Sequence, residues 1–179
     1  MRVFILAAAL ALSACGPAQR EAPGACTLEA TREIAWPEGD ARLTITATSQ
    51  GADCDSAHVT LNLRGDDAAM THTISGAYAD LSLSETPVAR EHVQRFLESW
   101  ADVTQMRSGA LPAWDDGMSR PGEGVEALPY ASALARADYQ AIRMRNLPTI
   151  CIALRVDAVE CLVADREQGA LLSVLGYAQ

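Results

Sequence analysis

Residues 41–49 read ARLTITATS, and this stretch decides the class of fold. Leu43, Ile45 and Ala47 fall on one side of an extended chain, and Thr44, Thr46 and Thr48 on the other, because successive side chains of a strand alternate across it. A period of two marks a strand with one face on a core and one face in water. Upstream, Thr27–Trp36 alternates imperfectly: Leu28, Ala30, Ile34 and Trp36 share a side that Arg32 interrupts. Downstream the pattern returns in Ala57–Arg64, with Val59, Leu61 and Leu63 inward and His58, Thr60, Asn62 and Arg64 outward, and again over Met70–Tyr78. Turn residues separate the runs at Pro37–Asp40, Gly51–Ser56 and Gly65–Asp67, each rich in the Gly, Pro and Asp that tight turns require. Four strands on short turns predict an antiparallel meander.

After the fourth strand the period changes. Thr86-Pro87 reads as a helix start, with Thr as cap and Pro in the first turn. Ala89, Val93, Phe96, Leu97 and Trp100 then form an apolar stripe at three- and four-residue spacing, against Arg90, Glu91, Gln94, Arg95 and Glu98. An amphipathic helix over Pro87–Val103, laid on the sheet, is the expectation. A second helix is predicted over Ala133–Arg145, with Asn146 as its C-cap and Pro148 ending it. Two apolar runs around Arg155-Val156-Asp157 predict a C-terminal hairpin, and Ala170–Tyr177 a further strand. The class is α+β: a four-strand meander plus a C-terminal hairpin, covered by two helices. Residues 26–179 are expected to form a single domain.

Composition narrows the chemistry. The chain has 179 residues, 14 basic and 23 acidic side chains and a net charge of −9. Every basic residue is Arg, so Lys-dependent phosphate loops and Schiff bases are excluded. The acidic balance speaks against nucleic acid, whose phosphates are neutralised by basic side chains. A basic protein partner is the expected complement.

Met1-Arg2 is followed by an apolar run, Val3–Leu12, far shorter than a spanning helix needs. The run ends in Leu12-Ser13-Ala14-Cys15-Gly16, which resembles the lipobox of bacterial lipoproteins. The resemblance implies a signal peptide over 1–14, a lipidated Cys15 and a membrane anchor. Each buried methylene of such a lipid contributes about 0.8 kcal/mol. Gly16 after the Cys implies the outer membrane, facing the periplasm. Residues 15–25 then form the lipidated Cys and a tether.

Four cysteines remain: Cys26, Cys54, Cys151 and Cys161. In an exported chain four thiols suggest two disulfides, with three connectivities. Cys151 and Cys161 oppose one another if the hairpin centres on Val156, and Cys26 and Cys54 share one end of an up-down meander. These spacings predict Cys26–Cys54 and Cys151–Cys161. The competing metal site lacks any C-x-x-C pair, and the histidines His58, His72 and His92 are scattered. No metal and no cofactor is expected.

Catalytic motifs are missing: there is no G-x-S-x-G, H-E-x-x-H or strand-linked G-x-G-x-x-G. His58 reads as solvated, His72 as edge-of-core and His92 as partly buried beside the helix stripe. Two features are candidate partner contacts. Ser75-Gly76-Ala77-Tyr78 is similar to the S-G-x-Y signature of periplasmic lysozyme inhibitors. That similarity implies Ser75 and Tyr78 as contacts to an acidic catalytic cleft, with Gly76 supplying the turn. The other is Trp114-Asp115-Asp116, inside the Pro- and Gly-rich segment Gly109–Pro129. A loop of that length tends to be functional or mobile, although a Trp folded back to plug the sheet edge, with solvated aspartates, is the plainer account. The leading expectation is a lipid-anchored, non-enzymatic, protein-binding envelope protein. A lysozyme inhibitor and a small hydrolase using carboxylates of the long loop are the alternatives.

Overall fold

The alternation over residues 41–49 becomes β2 (Arg42–Gln50), the second strand of a sheet in the order β1-β2-β3-β4. The structure, a computed structural model, describes residues 25–35, 42–66, 70–82, 87–124, 129–155 and 157–178. The lipobox, most of the tether, the turn at Pro37–Asp40, Asp67, Thr86 and Val156 lie outside the described residues.

β1 (Leu28–Ala35), β3 (His58–Gly65) and β4 (Thr71–Ala77) flank β2 as the meander requires, all antiparallel. Ala47 stands opposite Ala30 and Leu61, and Leu61 opposite Ile74, so the inward residues of all four strands meet on one face. The other face carries rows such as Thr31, Thr46, Asn62 and Thr73. Arg32 does lie on the inward face. It is tolerated there because β1 is an edge strand and its guanidinium reaches Asp102 at 2.7 Å.

Tyr78 does not extend β4; it opens a short helix, α1 (Tyr78–Ser82). The amphipathic helix, α2 (Arg90–Ala101), begins three residues later than Pro87. Val88 donates its N–H to the Asp55 carboxylate at 2.6 Å, which fixes the lead-in, and Ala89 is still extended and makes no side-chain cap. Val93, Leu97 and Trp100 are buried, as the stripe predicts. His92 is exposed, not partly buried. Arg90 donates to the carbonyls of Ala25 and Thr27, and Gln94 to that of Glu29. Helix side chains thereby occupy the free edge of β1, where unpaired strand groups would otherwise invite another chain.

The C-terminal region holds more sheet than a hairpin. β5 (Thr104–Arg107), β6 (Pro148–Arg155), β7 (Ala158–Asp165) and β8 (Ala170–Ala178) form a second antiparallel sheet in that order. One face, with Ile150, Ile152, Leu162 and Ala164, packs into the same core as the first sheet and α2. The Trp100 indole N–H seals that junction by donating to the Ala153 carbonyl at 2.8 Å. The opposite face, with Cys161 and Val163, is covered by Leu111, Tyr139 and Ile142. Tyr139 and Ile142 belong to α3 (Arg136–Arg145), which starts three residues after Ala133. Asn146 ends α3 in the left-handed region, φ 52°, where Asn is among the few tolerant side chains. Pro148 opens β6 directly.

Both disulfides form as the spacings predict: Cys26 with Cys54, and Cys151 with Cys161, the latter directly opposite across β6 and β7. The architecture is α+β, with two four-stranded antiparallel sheets and helices packed on them.

Candidate functional site

The segment after β5 makes one 3-10 turn, Ser108–Ala110, and then runs as a strap along α3. The reason is written in the spacing of α3. At 100° per residue, Tyr139 and Ile142 form a buried stripe, while Arg136, Gln140 and Arg143 form the adjacent one. That second stripe meets the strap's backbone carbonyls. Arg143 donates to Leu111 at 3.0 Å and to Gly109 at 3.5 Å. Gln140 donates to Trp114 at 2.6 Å, and Arg136 to Asp115 at 3.2 Å. The Tyr139 hydroxyl adds a bond to Pro112 at 2.9 Å. Burial pushes the Tyr139 phenol up to about 12, which keeps it protonated and donating. Five side-chain donations therefore hold a strap that lacks regular structure, satisfying carbonyls that would otherwise be stranded.

Within this frame Trp114 folds back, half-buried against the core beneath α3, as the plainer account expects. Its ring meets the Tyr139 ring edge-on, centroids 5.8 Å apart, and its indole N–H donates to the Met118 carbonyl at 3.0 Å. Gly117 between them has φ +87°, which favours glycine. Asp115 and Asp116 are exposed, and Asp116, at 97% side-chain exposure, pairs with Arg136 at 2.7 Å. Trp114, Asp115, Asp116, Arg136, Ala137 and Gln140 line a cleft of about 360 Å³. The three sequence-adjacent candidates are thus brought into one concave site. Arg136, Ala137 and Gln140 form its other wall and are not among the residues that the sequence singles out; the one signal for them is the i, i+4, i+7 spacing of Arg136, Gln140 and Arg143 off the apolar stripe.

The second candidate group is divided by the fold. Ser75 is exposed on the wet face of β4, whereas Gly76 faces inward, close to Leu81. Tyr78 is 2% exposed, with its ring edge-on to Phe96 at 5.2 Å. Tyr78 is therefore not the surface contact that the similarity implies: its ring is part of the core and reaches no partner's cleft without leaving it.

One polar cluster links the two sheets. The His72 imidazole Nε2 lies 3.2 Å from a carboxylate oxygen of Glu160, with both side chains mostly buried. The hydrogen bond from His72, helped by one from Ser173, holds the Glu160 carboxyl below the usual range against the opposing effect of burial. His72 is thus an edge-of-core residue with a partner. Among the described residues no three His, Cys, Asp or Glu side chains converge as a metal site.

Compared with known protein families, with curated proteins and with solved structures, the chain matches none.

Proposed function

We propose that this chain is a lipid-anchored envelope protein, held through Cys15 on the outer membrane and facing the periplasm, that works as a non-enzymatic module binding a basic protein. The observation that carries the reading is the disposition of sulfur. Four of the five cysteines pair within the folded body, and such bridges persist in an oxidising compartment. The fifth, Cys15, closes an apolar run in the Leu12-Ser13-Ala14-Cys15 pattern. Export and anchoring account for both facts at once.

The binding reading draws on the cleft beside α3 and on the charge of −9, which steers a cationic partner inward. The hydrolase alternative asks two carboxylates to converge in a water-poor pocket with separated acidities. Asp115 and Asp116 are both exposed, and Asp116 is paired with Arg136. The inhibitor alternative needs Tyr78 at the surface.

The test is the amino terminus of the natural product. Mass analysis of the membrane-extracted protein is expected to show Cys15 as the first residue carrying diacylglycerol, and Cys15→Ser to move the protein into the soluble periplasmic fraction. An unmodified product that begins at Met1 overturns the reading.

A further inference from the structure

We infer that the outward side of α3 and the Trp114 cleft together dock a protein segment that presents an apolar anchor beside a Lys or Arg side chain; this rests on the binding-module reading and names its surface.

Two stripes of α3 are occupied, one by the core and one by the strap. A third, Ala137, Ala141 and Met144, points away from both. Met144 is 79% exposed and is the one large apolar side chain so exposed among the described residues. A single exposed Met is ordinary. This one differs because its stripe runs into a concavity: Ala137 lies both on the stripe and in the wall of the cleft that Trp114 lines. From Ala137 to Met144 is two turns, about 10 Å, the reach of anchors seven residues apart on a docked helix. Trp and Met are the side chains that concentrate binding energy and adapt to a partner.

The occupant's charge follows from which polar groups are already engaged. Each donor group of the cleft is engaged: Arg136 with Asp116 and the Asp115 carbonyl, Gln140 with the Trp114 carbonyl, and the Trp114 indole with Met118. Of the acceptors, the Asp116 carboxylate already answers Arg136. Asp138, in the first turn of α3, answers the positive end of the helix. The Asp115 carboxylate, exposed at the rim, is the surplus negative group. Two aspartates against one arginine leave the lining net negative, so a cationic side chain complements it, and the segment lands on a site already rigid, because the strap is fixed by the α3 side chains.

The test uses the full chain in non-ionic detergent, carrying ¹³C-methyl methionine, titrated with the peptide acetyl-Leu-Ala-Ala-Ala-Lys-Ala-Ala-Leu-amide, whose Leu anchors are seven residues apart with Lys between them, and with its Glu-for-Lys counterpart. The Met144 methyl signal is expected to shift saturably with the Lys peptide and not with the Glu peptide. Met144→Glu is expected to weaken binding about tenfold or more, read from Trp fluorescence, and Asp115→Asn about threefold. An unmoved Met144 signal, or equal response to the two peptides, overturns the proposal. A Met144 shift that grows with protein concentration and needs no peptide also overturns it, by making a second copy the occupant. Anchoring is read separately by the Cys15→Ser fractionation, so its failure and the failure of this surface are distinguishable.

Discussion

The two sheets have four antiparallel strands each, yet they solve different burial problems. β1–β4 present one face to the core and leave a threonine-rich face in water, whereas β6 and β7 are packed on both sides. In β3 the outward Asn62 sits between buried Leu61 and Leu63. In β7 the residues Cys161 to Asp165 are buried without interruption, Leu162 toward one core and Val163 toward the other. The lesson is that a strand's pattern reports how many faces are covered, and not only that it is a strand.

The strongest way to break this comparison is to place one carboxylate on the second face of each sheet. Asn62→Asp is expected to change stability by no more than about 0.5 kcal/mol, since the position faces water. Val163→Asp is expected to cost more than about 4 kcal/mol, because an unpaired charge would be buried against Tyr139 and Ile142. Urea titrations of the two variants check it, and comparable losses would mean that α3 and the strap do not seal the second sheet.

The same contrast explains what could be read in advance. β2 and β3 were legible because alternation over a single wet face writes itself into residue order. β5 was not: Thr104–Arg107 is four residues long, offers Met106 as its one apolar side chain and follows α2 after two residues. The start of α2 differs from the sequence reading because Thr86-Pro87 has the chemistry of a cap, while the fold ties the Val88 N–H to Asp55, a residue 33 positions upstream, and leaves Ala89 extended. Both disulfides were legible, since each follows from cysteine spacing together with strand direction. The cleft was half legible. Trp114, Asp115 and Asp116 adjoin in sequence, but their partners Arg136 and Gln140 lie 20 or more residues on, and only the docking of α3 brings them in. Tyr78 was misread for the converse reason: four residues that match a signature say nothing of which side chain the core claims.

A smaller effect separates the staples. Cys26–Cys54 spans 28 residues within the first sheet's layer, and Cys151–Cys161 spans 10 within the second. If a bridge acts by restricting the unfolded chain, removing the first costs about 3.6 kcal/mol and the second about 2.7 kcal/mol. Paired Cys→Ala variants, unfolded by urea under non-reducing conditions, are expected to rank in that order. The reverse order would show that the second bridge contributes native packing, consistent with Cys161 lying in the core beneath α3.

The smallest expected difference at neutral pH becomes visible in acid, and it again divides the sheets. Among the described residues four carboxyls are held below the usual range: Asp53 and Glu123 in exposed turns, and Glu160 and Asp165, the two withdrawn from solvent, both in the second sheet. Asp165, its side chain 0% exposed, takes two bonds from Arg145, at 2.7 and 3.0 Å, and backbone N–H bonds from Glu167 and Gln168. The Arg145 guanidinium holds the Asp165 carboxyl below the usual range, as His72 does for Glu160. A carboxyl lowered by folding binds fewer protons in the native chain than in the unfolded one. Its contribution is therefore complete above the ordinary carboxylate range, near pH 4, and is lost as pH falls through the lowered native values. Wild-type urea midpoints should consequently drop steeply below about pH 4. Glu160→Gln is expected to cost about 1–2 kcal/mol at pH 7, and both Glu160→Gln and Asp165→Asn to flatten the acid limb. A limb as steep in the double variant as in the wild type would trace acid sensitivity to carboxylates elsewhere, and the second sheet would lose its distinction as the layer secured by charge.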